Sequence, residues 1–167
     1  MRILCWLDEY FEEFFVVLLM SIMTVLICGQ VFTRYVLEVA MSWTEELARY
    51  MFVWLVYVGI SYGIKKQKHI CIDVINNFLS VKHARYFSFI GDILFLVFAL
   101  LIVSKGTEVF MRIVASGQAS PALEIPMWIV YGALPFGMAL SVFRLLQNMY
   151  HRVKEIQKLD KQDNSVE

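Results

Sequence analysis

Residues 14–33 form a run of 20 positions without a charge. A helix rises about 1.5 Å per residue, so this run alone covers the roughly 30 Å hydrocarbon core of a bilayer. The pattern predicts a first membrane span over about 14–37 and a second over about 47–64, closed by Lys65 and Lys66. A third covers about 86–104, broken only by Asp92, and its periodicity carries the helix on to about 116 through Phe110, Met111 and Val114. The fourth covers about 125–143. Pro126 is placed in its first turn, where the missing N–H costs little, and Pro135 in its interior, where a kink is expected.

Small residues mark the surfaces expected to pack. Ala133, Gly137 and Ser141 share one face of the fourth span, and Gly59 and Gly63 form a G-x-x-x-G pair in the second. Between spans two and three, residues 69–85 gather Ile70, Val74, Ile75, Phe78 and Leu79 on one helical face and Asp73, Asn76, Asn77 and Ser80 on the other. This predicts an amphipathic helix lying in the membrane interface; a soluble turn with accidental periodicity is the alternative. Residues 151–167 mix charges of both signs and read as a polar tail, a short helix that frays. The fold class is thus all-α: an integral membrane protein with four spans in residues 1–150 and a tail in 151–167.

Composition supports the bilayer as solvent: 59% of residues are hydrophobic and mean hydropathy is +0.62. The net charge of zero gives no reason to expect a nucleic-acid partner, but the charges are unevenly placed. Four spans put eleven Lys and Arg on the side of the termini and the middle loop, and four on the other. By the positive-inside rule both termini are cytoplasmic. Asp8, Glu9, Glu12 and Glu13 stand where a signal peptide is basic, and no small-residue cleavage site follows, so the first span is expected to be retained. Cys5, Cys28 and Cys71 have no paired spacing and read as apolar fillers.

The region expected to carry function is the boundary RYVLEVAMSWTEELARYMFVW, residues 34–54, on the outer face. Ser42 and Glu45 have capping-box spacing, which predicts the start of the second helix. Glu45 and Arg49, four apart with the acid first, suit an intrahelical ion pair. Gln30, Arg34 and Glu38 line one face at the end of the first helix, from which Arg34 can meet Glu45 or Glu46. These charges, with Trp43, either pin the two helices together or face a partner. Glu45 and Glu46 are adjacent and diverge by about 100°, so they form no convergent acid/base pair.

Elsewhere, His69, His83 and His151 lie outside the apolar cores, which excludes a membrane haem. Asp92 is an intramembrane acid, readable as a proton carrier or as an interfacial acid satisfied locally. No phosphate loop, nucleophile motif or metal cluster is present, so an enzyme is not expected and no cofactor is assigned.

Residues 34–54, the segment KKQKHICID and the proline-bearing SPALEIPMWIVYGALPFGM together resemble the DctQ-like small membrane subunits of tripartite ATP-independent periplasmic (TRAP) transporters. The resemblance covers nearly the whole chain. It implies a bacterial inner-membrane protein bound to a large membrane subunit, which holds the substrate and sodium sites, and working with a soluble periplasmic binding protein. Membrane lipid is the remaining neighbour. It implies further that Arg34, Trp43, Glu45, Glu46 and Arg49 anchor helices or contact these partners, and that His69 and Asp73 are cytoplasmic motif positions. Overall similarity leans towards sialic acid as substrate, with C4-dicarboxylates next. A different class stays open from the residues alone: a self-sufficient homodimeric exporter coupled to protons through Asp92.

Overall fold

The computed structural model describes residues 2–39, 41–66 and 81–163, with side chains in 10–39, 41–66 and 89–150. His69, Asp73 and most of the proposed interfacial helix lie outside the described residues, whereas its last five positions, 81–85, belong to the helix that continues into the third span. The described chain is helical: α1 (Arg2–Val36), α2 (Ser42–Lys65), α3 (Val81–Ser116), a single turn α4 (Trp128–Tyr131) and α5 (Ala133–Asp163). Four segments are long and apolar enough to cross a membrane: Tyr10–Val36, Ser42–Lys65, Phe89–Ser116 and Trp128–Tyr150. The backbone of α5 continues unbroken to Asp163, so the start of the polar tail is an extension of the last span.

The helices form a row. α2 packs on α1 and α5, α5 packs on α2 and α3, and among the described residues the outer two helices, α1 and α3, do not pack on each other. Large apolar side chains consequently face outward, including Phe14, Leu94, Leu101 and Val25, the last 72% exposed. In water such a surface would drive aggregation, whereas hydrocarbon is its natural solvent.

The row is held by close backbone approach in the middle. Ala133 and Ser141 are fully buried, and a Cβ on Gly137 would lie 2.5 Å from Tyr57 Cβ and 3.0 Å from its carbonyl carbon. The expected small-residue face therefore packs, against α2. On the other flank Gly106 of α3 leaves room for the Leu134 side chain. Gly59 and Gly63 differ from this: a Cβ on either meets nothing within 4 Å, so their pair joins no helices among the described residues.

At the end carrying the termini, polar groups fasten α1 to the row. Glu12, 1% exposed, accepts hydrogen bonds from Arg144 Nε at 2.6 Å and Ser61 Oγ at 3.1 Å. Lys65 Nζ stands 3.1 Å from its other oxygen, near enough for an ion pair though not aligned as a hydrogen bond. Arg144 also donates to Gln147, and Asn148 donates to the Ile64 carbonyl at the end of α2. Just past α2, the Glu13 carboxylate 3.3 Å away holds the Lys66 ammonium above its usual range. Aromatic rings continue the seam, with Trp54 between Phe15 at 6.5 Å and Phe136 at 5.9 Å.

The fourth span departs from expectation at both prolines. Pro126 lies before the helix, bridged in antiparallel fashion to Ala119. Pro135 sits in the first turn of α5 rather than within a bent helix, and the break falls at Gly132. The physical reason is shared: a proline has no N–H to give the preceding turn, and its ring crowds the carbonyl four residues back, here that of Tyr131.

Candidate functional site

At the opposite end of the row the α1–α2 turn meets the connection between α3 and α4. α1 stops at Val36, where Leu37 and Val39 both donate to the Thr33 carbonyl and Glu38 takes the left-handed conformation at φ 54°. Glu38 therefore lies in the cap, not on a helical stripe with Gln30 and Arg34 as the spacing suggested, because a Schellman-like turn reverses the chain before another helical turn can form.

α2 begins at Ser42, with Met41 as its N-cap and no side chain capping it. The expected capping box is not formed. Ser42 is already inside the helix, and Glu45 is turned along it to Arg49, with Nη2 3.0 Å from Oε1. This exposed i,i+4 pair is as the spacing predicts, and such pairs contribute only about 0.3–0.5 kcal/mol. Arg34 is exposed, and among the described residues no ion pair joins it to Glu45 or Glu46. Trp43 is 43% exposed.

Glu46 parts from its neighbour. Its side chain is buried, 8% exposed, and its carboxylate is spent inside the chain. Oε2 accepts the backbone N–H of Ala122 at 2.8 Å and of Leu123 at 3.2 Å, while Oε1 accepts the Tyr50 hydroxyl one turn along α2. The sequence reading grouped Glu46 with the outward-facing charges; burial opposes a direct outward contact, because the 100° step from Glu45 aims it at the hairpin.

That hairpin spans 118–127. Gly117, at φ 63°, ends α3, and Met127 N–H then pairs with the Gln118 carbonyl and Ser120 N–H with the Ile125 carbonyl. Glu124 in the left-handed region, φ 55°, closes the tip, at a cost of about 1–2 kcal/mol for a residue with a Cβ. The turn leaves the successive N–H groups of Ala122 and Leu123 pointing the same way, a nest suited to one carboxylate. Two further bonds fasten the next segment to α2: Tyr50 to Met127 Sδ, and Trp54 Nε1 to the Ile129 carbonyl at 3.2 Å. α4 stops at Tyr131, so among the described residues that carbonyl receives no backbone N–H, and the indole supplies a donor.

The result is a fixed platform made from two segments about 76 residues apart in sequence. An open cleft of about 400 Å³ lies on it, lined by Ser42, Glu45, Glu46, Arg49, Pro121 and Ala122. Of the sequence candidates, Ser42, Glu45, Glu46 and Arg49 meet here, whereas Arg34 does not. Tyr50, Trp54 and Ser120 belong to the site and were missed. Tyr50 had a signal, its i+4 spacing from Glu46, but the partners in the hairpin had none. Asp92 on α3, 4% exposed, lies far from this end and is not a free carboxylate. No group of three His, Cys, Asp or Glu able to hold a metal occurs among the described residues.

Comparison with known proteins follows the same segments. The sequence pattern of the DctQ component of tripartite ATP-independent periplasmic transporters matches residues 23–155. The chain belongs to this family. It is a transport component rather than an enzyme. It is 33% identical over 158 residues to an isethionate TRAP transporter permease protein, DctMQ, of Oleidesulfovibrio alaskensis, covering 91% of the chain but 25% of that protein. It is 36% identical over 105 residues to the C4-dicarboxylate TRAP transporter small permease protein of Rhodobacter capsulatus, covering 63% of the chain and 46% of that protein. A sialic acid TRAP transporter permease protein, SiaT, of Haemophilus influenzae is 31% identical over 122 residues, 73% of the chain and 20% of that protein. The DctQ-family chain thus spans half or less of each of these relatives.

Proposed function

We propose that this DctQ-family chain is the stationary small subunit of an ion-coupled TRAP permease in a bacterial inner membrane. It widens the scaffold of a large transport subunit and presents its hairpin end to a soluble periplasmic binding protein. Both termini are cytoplasmic in this reading, because the excess of Lys and Arg lies on their side. Substrate and sodium are handled by the large subunit, and the substrate is an organic acid of the kind named for the relatives: isethionate, a C4-dicarboxylate or sialic acid.

The observation that carries the reading is the platform itself. Glu46 and the hairpin are locked inward, while Glu45, Arg49 and Trp43 remain exposed beside the cleft. The exposed ion pair adds little to folding, so these groups can be altered without collapsing the subunit, as a docking surface requires.

Uptake by cells carrying the complete transporter tests this. Glu45→Lys with Arg49→Glu is expected to lower uptake several-fold at normal membrane abundance, with Lys158→Glu in the tail as a control that leaves it unchanged. Uptake by this chain alone in liposomes, or equal losses from both changes, refutes the proposal.

A further inference from the structure

α2 carries a second surface, running the length of the membrane. Glu45, Arg49, Phe52, Val56, Gly59 and Gly63 follow one another at alternating steps of four and three residues. A further step of three reaches Lys66. That is an average of 3.5 residues, the spacing of a seam that meets one partner helix along its whole length. From 45 to 66 the seam is about 32 Å long at 1.5 Å per residue, enough to cross the hydrocarbon core.

Every position of this seam is exposed or half-exposed, and the buried positions of α2, among them Ala48, Val58 and Ile64, lie off it and serve α1 and α5. Phe52 is 52% exposed and Val56 41%. An ion pair closes each end, Glu45 with Arg49 and Lys66 with Glu13. Between the bulky half and the inner end stand the two glycines with nothing opposite them.

Open glycines are costly in a helix, about 1 kcal/mol each relative to alanine. Gly137 recovers that cost by admitting the Tyr57 backbone; Gly59 and Gly63 recover nothing among the described residues. Gly29 and Gly91 are open as well, but each stands alone, with no glycine four residues away. Lipid tails gain little from a glycine groove, whereas a second helix gains close backbone contact.

Resting on the small-subunit reading above, we infer that this seam seats one transmembrane helix of the large permease subunit, with the closest approach at Gly59 and Gly63. The occupant follows from the relatives. In the isethionate and sialic acid permeases the region like this chain is only 25% and 20% of one longer polypeptide, so the remainder is held beside it by covalent linkage. The seam is a full-length, unpartnered helix face on the middle of the row, where a row of four helices can be backed by another layer.

The test uses this chain co-expressed with its large subunit and purified through a tag on this chain. A benzoylphenylalanine in place of Val56 is expected to give a covalent adduct with the large subunit on illumination, and one in place of Val25 on α1 is not. Gly59→Leu and Gly63→Leu are each expected to reduce the co-purified large subunit about tenfold, the effect of overpacking a helix contact by about 1.4 kcal/mol. Gly29→Leu is expected to leave it unchanged. A complex that stays intact in Gly63→Leu and cross-links through Val25, or only to lipid or a second copy through Val56, overturns the seam and leaves the small-subunit reading standing. Failure of the unaltered chain to bring down any large subunit overturns both.

Discussion

Replacing Glu46 by alanine removes the carboxylate that ties the N–H groups of Ala122 and Leu123 in the 118–127 hairpin to α2. The Ala122 N–H, 2.8 Å from the carboxylate, has no other partner among the described residues, and a hydrogen bond to a charged group is worth about 1.5–3 kcal/mol. Leu123 N–H has a fallback in Ser120 Oγ at 3.3 Å, and the Tyr50 hydroxyl one in Met127 Sδ at 3.4 Å, so their losses are smaller. Together the change should cost about 3 kcal/mol, expressed locally because α4, α5 and Trp54 still hold the far end of the loop. At 1.4 kcal/mol per factor of ten, hairpin opening should increase about a hundredfold. Hydrogen–deuterium exchange of peptides covering 117–132, in protein reconstituted into nanodiscs, reads this directly. Tyr50→Phe removes one donor and should raise exchange only about fivefold, near 1 kcal/mol. If Glu46→Ala leaves exchange within about twofold of the parent, or if Tyr50→Phe matches it, the carboxylate is not the clasp.

Two further outcomes follow from the packing. Gly137→Ala puts a methyl group against the Tyr57 backbone and should lower stability by about 1–3 kcal/mol in a thermal melt followed by tryptophan fluorescence, whereas Gly29→Ala, facing open space, should be neutral or slightly stabilising. Arg144→Met strands buried Glu12 beside Lys65 and should cost about 3–5 kcal/mol, with Glu12→Gln added to it restoring much of the loss; an unchanged melting temperature in the single variant would remove the cluster as a fastener of α1.

Much of this protein is legible in linear pattern. The four spans, the Glu45–Arg49 pair and the small-residue face at Ala133, Gly137 and Ser141 all depend on spacings of three, four or twenty residues, which the geometry of a helix fixes locally. The family could be read from the same segments. Errors came where a short motif was given its commonest local meaning. Ser42 and Glu45 have the spacing of a capping box, yet the helix starts one residue earlier than that motif needs, and Glu45 is taken by Arg49. Pro126 looked like a first-turn proline, but the bridge to Ala119 holds it outside the helix.

What only the tertiary structure decided is which polar groups meet across the row. No spacing links Glu12 to Arg144 or Glu46 to the N–H groups of Ala122 and Leu123, because these pairs are made by helices whose neighbours are chosen by packing rather than by sequence separation. The sequence by itself determined a four-helix membrane chain with a charged edge. The fold divided that edge, turning Glu46 inward to build the platform and leaving Glu45 and Arg49 outside, since adjacent residues on a helix point about 100° apart and only one of them can face the hairpin.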